Sequence, residues 1–183
     1  MDRLQRDVIL IRLIEALRNK GSWCGETHVQ KATFFLQAMA GANTDFDFIL
    51  YKHGPFSFDL RDELTAMRAD GFVSLRVQGP QYGPSIVPEP GAEQLRRRFP
   101  RTLRENESRI AFVSSRLGNM SVSELERVAT AYFVLQEDME SAVNERQLAN
   151  RIHRLKPHIS FDEAVDALAS VKKWKREAAS FSQ

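Results

Sequence analysis

Tyr51, His53 and Ser57 lie close together in the stretch LYKHGPFSFDLRDEL, residues 50–64. A histidine base beside a serine hydroxyl can support nucleophilic catalysis when a third group orients the base. Here no glycine flanks Ser57 in a nucleophile-elbow pattern, and no loop supplies an oxyanion hole. The same residues are typical of a strand end, a tight Gly54-Pro55 turn and a serine N-cap. We therefore predict a structural corner and expect no catalytic residues.

Cys24 and His28 are four residues apart and could share a metal ion. A structural zinc site needs four ligands, commonly from paired Cys or His residues. The sequence holds one Cys and 4 His in all, so we expect neither a metal nor a cofactor. A single Cys also excludes an internal disulfide and is typical of a reducing, cytoplasmic compartment. No apolar run is long enough to span a bilayer, so we expect no membrane partner.

The periodicity of apolar residues predicts the elements that position the corner. We expect a strand over 46–52, a helix over 57–70 and a hairpin whose turn lies at 79–84. Capping boxes are predicted at Thr27 with Gln30, at Ser121 with Glu124 and at Ser160 with Glu163. The remaining predicted helices cover 4–19, 27–39, 91–98, 101–117, 121–141, 145–155 and 161–176.

This order of elements predicts an α+β fold that is mainly α. Helix, helix, strand, helix and β-hairpin in succession are close to a winged helix, a helix-turn-helix with a β-ribbon wing. We expect a winged-helix-like N-terminal domain over 1–90. Helix 57–70 would stand in the recognition position, and Gly79–Pro84 would form the tip of the wing. The residues from 91 to 183 would form a helical extension that packs on this domain.

Two segments carry a resemblance to a known family. HVQKATFFLQ (28–37) and DFILYKHGPFSFDLRDELTAMRADGFV (47–73) resemble prokaryotic YwgA-type winged-helix proteins and the Panacea antitoxin-domain proteins. The shared features are a helix reading QK-x3-F-x-Q, an aromatic strand and a Y-x-x-GP-[YFV]-S corner. The matching residues here are Gln30, Lys31, Phe34 or Phe35, Gln37, Tyr51, Gly54, Pro55, Phe56, Ser57 and Leu60. The resemblance implies a small prokaryotic binding protein, often encoded near toxins, mobile elements or antiviral defence genes, and it brings no catalytic residues.

The charge of helix 57–70 favours a protein partner over DNA. Residues 45–70 hold six acids and three bases, and an acidic recognition helix would repel a duplex. We expect a toxin or a defence-complex subunit to bind this surface, with Gln30 and Lys31 partly exposed beside it. The residues predicted to bind the partner are Lys52, His53, Phe56, Asp59, Asp62 and Glu63.

The alternative is a DNA-binding regulator or a nucleic-acid-associated subunit. Arginine next to aromatic residues suits nucleic acid, and basic residues cluster at 96–104 and at 172–176 around Trp174. A solvated helix face, or salt bridges to Glu93, Glu105 and Glu107, would explain the first cluster equally. The candidate nucleic-acid-binding residues are Arg76, Arg96, Arg97, Arg98, Arg101 and Arg104.

One apolar stripe leaves the oligomeric state open. It consists of residues alternately three and four apart: Leu125, Val128, Tyr132, Leu135 and Met139. The stripe is shorter than three heptads, so packing on the body of the same chain is the simpler interpretation. A homodimer is the alternative.

Overall fold

The computed structural model describes residues 1–77, 79, 83–138 and 144–182. Over this part of the chain the fold is mainly helical, with eight α-helices and two small antiparallel hairpins. The helices are α1 (Arg3–Asn19), α2 (Glu26–Ala38), α3 (Phe58–Ala69), α4 (Gly91–Arg98), α5 (Pro100–Leu117), α6 (Val122–Glu137), α7 (Glu145–Leu155) and α8 (Phe161–Ala178). The strands are β1 (Ile49–Tyr51), β2 (Gly54–Phe56), β3 (Val73–Arg76) and β4 (Ser85–Pro88). A short 3₁₀ turn, Ala179–Ser182, follows α8.

The first hairpin corrects the prediction of one long strand over 46–52. The strand β1 covers three residues and pairs with β2, which begins at the predicted turn glycine. The register places Ile49 opposite Phe56 and Tyr51 opposite Gly54, so the turn consists of Lys52 and His53. The Gly-Pro pair was expected to interrupt strand structure, but here it forms part of the second strand of a tight hairpin.

The second hairpin pairs β3 with β4, with Val73 opposite Pro88 and Arg76 opposite Ser85. The chain between α1 and α2 adds an isolated antiparallel bridge from Gly25 to Ser85. The Ile86 amide also donates to the Cys24 carbonyl at 2.9 Å. The loop before α2 therefore lies along the outer edge of β4. Of the predicted wing tip, Pro80, Gln81 and Tyr82 lie outside the described residues.

Most helix starts follow their capping residues. Ser57 accepts from the Leu60 amide, and complete capping boxes form at Ser121 and Ser160, as predicted. The predicted box at Thr27 and Gln30 is wrong. The N-cap of α2 is Gly25, which has no side chain to accept a hydrogen bond. The Gln30 side chain is engaged elsewhere.

The two halves of the sequence share one hydrophobic core. Helix α5 packs along α1, and α6 packs against both α2 and α8. Of the predicted α6 stripe, Leu125, Val128 and Tyr132 are buried against the same chain. Helix α6 ends at Glu137, before the predicted end at 141, and Met139 lies outside the described residues. None of the described helices combines the length and the apolar character needed to cross a bilayer.

Candidate functional site

Side chains of α2 bind the backbone of the first hairpin at its β2 edge. The Gln30 amide accepts from the Ser57 N–H and donates to the Ser57 carbonyl, both at 2.9 Å. The Lys31 ammonium donates to the Pro55 carbonyl at 3.0 Å. Backbone groups of alternate residues in an extended chain point to the same edge. These side chains therefore satisfy the polar groups that an adjacent strand would otherwise bind.

Gln37 of α2 binds the backbone of Phe46, ahead of the first hairpin, in the same way. Its side chain accepts from the Phe46 N–H and donates to the Phe46 carbonyl, both at 2.9 Å. Its oxygen also accepts from the Thr44 hydroxyl at 2.8 Å. Gln30 and Gln37 are seven residues, or about two helical turns, apart on α2. The Gln and Lys residues of the family-like QK-x3-F-x-Q pattern thus hold the segment from 46 to 57 in place.

This arrangement overturns the expectation that Gln30 and Lys31 are partly exposed. Gln30 is fully buried, and only 2% of the Lys31 surface is accessible. Burial lowers the pKa of Lys31 to about 8, because the charged amine loses its hydration, and the nearby Glu126 carboxylate opposes part of this shift. Ser57 lies 27 residues after Gln30, and Pro55 lies 24 residues after Lys31, so local sequence patterns do not predict these hydrogen bonds.

The C-terminal half fixes the turn of the same hairpin. The Lys156 ammonium, in the loop between α7 and α8, donates to the Tyr51 carbonyl at 2.6 Å and also to the Lys52 carbonyl. Gly54 has a φ of +87°, in the region that favours glycine. A Cβ at this position would lie 3.1 Å from the Thr130 hydroxyl of α6. The hairpin turn is therefore packed directly against α6.

One buried carboxylate balances the cations around this turn. Glu126 of α6 has its Oε1 atom 3.7 Å from the Lys156 ammonium and 3.2 Å from the His158 ring. Its Oε2 atom lies 3.6 Å from His53 Nδ1. The predicted corner is therefore the meeting point of α2, α6 and the α7–α8 loop. His53 faces Glu126 here, while Ser57 caps α3.

The outer side of the hairpin carries apolar side chains that are open to solvent. We call Ile49, Tyr51, Phe56 and Phe58 the hairpin patch. The ring centroids of the three aromatic residues lie 5.1–5.8 Å apart. Ile49 is 49% exposed, Tyr51 46% and Phe58 40%. Of these four residues, only Phe56 is among the partner-binding residues predicted from the sequence. The alternation of Ile49 and Tyr51 along β1 was the signal that could have indicated an exposed apolar face.

The acidic residues predicted on α3 have two different environments. Asp59 and Asp62 are exposed, as a partner surface requires. Glu63 is only 8% exposed and corrects the prediction, because its carboxylate binds the guanidinium groups of Arg3 and Arg6 at 2.7 Å each. Glu63 therefore joins α3 to α1 and is unavailable to a partner.

The salt bridges of Glu63 enclose a second carboxylate. Asp7 of α1 is fully buried, and neither of its oxygens has a hydrogen-bond partner within the described structure. Burial and the negative charge of Glu63 raise the pKa of Asp7 to about 7, against a weaker opposing effect of Arg3. The surroundings of Asp7 at this junction therefore favour its protonated form.

The arginines from 96 to 104 bind mostly to acids of the same chain. Arg96 pairs with Glu93 and with Glu15 of α1, and Arg97 also binds Glu93, at 3.0 Å. Arg101 binds Glu105 at 2.7 Å, and Arg98 lies over the Phe99 ring. The salt bridges suggested by the sequence are thus present for Glu93 and Glu105, and Glu107 binds Arg12. Arg76 and Arg104 are exposed, without an ion pair in the described structure.

The second basic cluster is also partly engaged. Lys172 binds Glu145 at 2.8 Å, and the Trp174 ring meets Phe35 edge-on at 5.9 Å. Trp174 is therefore partly buried and takes part in the packing of α8 on the core.

Cys24 and His28 are not arranged as the ligands of a metal ion. Cys24 is buried, and burial raises the pKa of its thiol to about 12. The His28 ring bonds to the Ser22 hydroxyl and to the Leu117 carbonyl, both at 2.8 Å. Within the described ranges, no group of three or more His, Cys, Asp or Glu side chains is placed to hold a metal ion.

Comparisons with known proteins add no family to this description. No family model matches the chain, and no curated protein matches it. The likeness to the Panacea and YwgA-type proteins therefore stays a resemblance, based on the residues quoted above.

Proposed function

We propose that this chain is a non-enzymatic protein-binding module of the prokaryotic antitoxin or defence-accessory type. The observation that supports this proposal is the hairpin patch. Tyr51 and the two phenylalanines form one aromatic cluster, and Ile49 extends it along β1. Aromatic residues are enriched at the centres of protein–protein interfaces, and large exposed apolar clusters mark interaction sites.

The rigidity of the hairpin strengthens this proposal. Gln30, Lys31 and Lys156 bind its backbone from two sides, so the aromatic rings are presented on a fixed frame. A preorganised surface loses less conformational entropy on binding than a flexible loop does. The buried polar residues of the family-like motif therefore act indirectly, by positioning the rings that contact the partner.

The charges around the patch define the chemistry of the partner. Asp62 lies one helical turn after Phe58, and Asp59 follows Phe58 directly. Arg61 stacks over the Phe58 ring at 5.0 Å, and Lys52 is exposed on the turn. We expect the partner to present an apolar or aromatic anchor flanked by basic residues that meet Asp59 and Asp62.

The winged-helix assignment of the N-terminal region also belongs to this proposal. The order α1, α2, α3, β3 and β4, with the Gly25–Ser85 bridge as a rudimentary third strand, supports it. The hairpin β1–β2 is then an insertion between the second and third helices of that unit. In this interpretation the partner surface is built on the insertion and on the start of the recognition-position helix.

The charge distribution gives the DNA alternative less support. Arg96, Arg97 and Arg101 are neutralised by acids of the same chain, which leaves few cations for phosphates. The exposed Arg76 and Arg104 are the residues on which this alternative would depend. Its signature would be an affinity that falls steeply with added salt.

A purification of the tagged protein from its own host tests the proposal. We expect a stoichiometric protein partner that survives nuclease treatment and is lost from the double variant Tyr51→Ser/Phe58→Ser. The matched control is Val122→Ser, which removes another exposed apolar side chain, 57% accessible, from the start of α6. Since Tyr51 and Phe58 lie at the surface, 46% and 40% exposed, the thermal midpoint of the double variant is expected to stay within a few degrees of wild type.

Two results would contradict the proposed surface. Equal recovery of the partner with the double variant would show that the partner binds elsewhere. Recovery of nucleic acid alone, lost on nuclease treatment or at high salt, would favour the DNA alternative. In that case Arg76→Gln and Arg104→Gln would be the next variants.

A further inference from the structure

A groove separate from the hairpin patch opens on the other side of α3. It lies between that helix, the loop from Gly21 to Gly25 and the β3–β4 hairpin, and the α5–α6 turn closes its far end. Its volume is about 730 Å³. Pockets for small organic ligands typically measure about 300–1,000 Å³, so the groove has the size of such a site.

Most of the groove wall is apolar. The side chains that line it include Trp23, Leu64, Leu75 and Met120. Leu75 is 38% exposed, which is unusual for a leucine on a short strand and is explained by its position facing this space. The Trp23 indole N–H donates to the Gly83 carbonyl at 2.7 Å, so it ties the loop before α2 to the second hairpin. This hydrogen bond fixes the loop relative to the second hairpin at the groove.

One wall of the groove is cationic. Arg61, Thr65 and Arg68 follow one another at helical spacing on α3 and all line it. The ion pair of Arg61 is with the adjacent Asp62, at 3.5 Å. The Arg68 guanidinium makes no ion pair or hydrogen bond with the part of the chain that the structure describes.

The other charged groups leave this wall positive. Glu26 is the one carboxylate among the described lining residues. His28 also lines the groove, but burial lowers the pKa of its ring, and both ring nitrogens are engaged with Ser22 and Leu117. The N-cap of α2 is Gly25, so no side chain accepts from the amides at the start of that helix, which also lies at the groove.

We propose that this groove binds a small amphipathic anion. Its apolar or aromatic body would pack on Trp23, Leu64 and Leu75. Its carboxylate, sulfonate or phosphate group would bind the Arg68 guanidinium, with Arg61 adding to the attraction. The two sites meet at Arg61, which stacks over Phe58 and also lines the groove, whereas Asp59 borders the hairpin patch and Arg68 borders the groove. This proposal does not depend on the identity of the protein partner.

A pair of dyes that differ in one charged group tests the proposal. The anionic probe is 1-anilinonaphthalene-8-sulfonate, and its uncharged counterpart is N-phenyl-1-naphthylamine. Titration is followed by the emission of Trp23 in the variant Trp174→Phe, which removes the other of the 2 tryptophans, and by calorimetry on the wild-type chain. We expect one anionic dye per chain, quenching of Trp23, and an affinity for the uncharged dye at least tenfold weaker.

Substitutions separate the groove from the hairpin patch. Arg68→Gln is expected to weaken the anionic dye about tenfold, the loss of one charge-assisted hydrogen bond, and to leave the uncharged dye within about twofold. The matched control, Arg104→Gln, removes an exposed arginine of α5 and is expected to change neither dye. Equal affinity for the two dyes would overturn the proposal. So would an unchanged affinity in Arg68→Gln. Loss of anionic binding in Ile49→Ser/Tyr51→Ser, which leaves the contact between Arg61 and Phe58 in place, would put the dye on the patch and would also overturn the proposal.

Discussion

The substitution Gln30→Ala tests whether α2 holds the hairpin as described. It removes two buried hydrogen bonds to Ser57, each 2.9 Å long, and each is worth about 1 kcal/mol net. The Ser57 carbonyl keeps a second partner, the Arg61 amide at 3.2 Å. The Ser57 N–H loses its only partner in the described structure, which adds a desolvation cost of about 1–2 kcal/mol. We expect the free energy of unfolding to fall by about 3–4 kcal/mol in total.

Urea denaturation followed by circular dichroism measures this change. With a slope of about 2 kcal/mol/M, the unfolding midpoint should fall by roughly 1.5–2 M. Amide exchange at Ser57 gives a local readout, because its N–H should lose protection more than amides in the middle of α1 do. The matched control is Gln94→Ala on the exposed face of α4, expected within about 0.5 kcal/mol of wild type. A loss below about 1 kcal/mol for Gln30→Ala would refute the assigned role.

Three further substitutions test other contacts. Gly54→Ala is expected to lower the free energy of unfolding by about 2–3 kcal/mol, because a positive φ and a contact with α6 both oppose a Cβ. Gly71→Ala is the matched control, because Gly71 has a φ of +74° and open space around it, and it should lose only about 1 kcal/mol. Equal losses for the two variants on urea unfolding would refute the contact. Since the pKa of Asp7 is raised from 3.8 to about 7, the folded chain retains a proton that the unfolded chain releases, and stability should fall as the pH rises from about 4 to 7. Asp7→Asn should flatten this fall and be more stable than wild type by about 1–3 kcal/mol at pH 8, so a parallel pH profile would contradict the assignment. Glu63→Lys should lower the free energy of unfolding by about 3–5 kcal/mol, because it leaves two arginines without their carboxylate. The control Asp62→Lys should stay within about 0.5 kcal/mol of wild type. Similar thermal melts for these two variants would be inconsistent with the buried position of Glu63.

Local features of the fold were predictable because they depend on residues close in sequence. The capping boxes at Ser121 and Ser160 need only a serine and a glutamate three residues later. The pairing of Arg97 and Arg101 with nearby acids follows from helical spacing in the same way. Such signals require no knowledge of the tertiary structure.

The errors have a common physical cause, which is competition from distant partners. Gln30 could have closed a capping box with Thr27, but its side chain binds Ser57 instead. The buried Ser57 N–H has no other acceptor in the described structure, whereas water can accept from amides at the start of a helix. The sequence predicts that Glu63 is an exposed acid, but in the folded chain α1 places Arg3 and Arg6 against its carboxylate. Neither position could be predicted without the tertiary packing.

The bond from Lys156 to the hairpin turn has a consequence for synthesis of the chain on the ribosome. Lys156 and Tyr51 are 105 residues apart in sequence, so a nascent chain has most of its length made before this bond can form. Until then the hairpin lacks one of the supports that fix its aromatic rings. Because ordering the hairpin at the moment of binding weakens affinity, an unfinished chain would be a poor ligand for the partner that we propose. Under the proposed function, tight binding would require that the C-terminal helices have already folded.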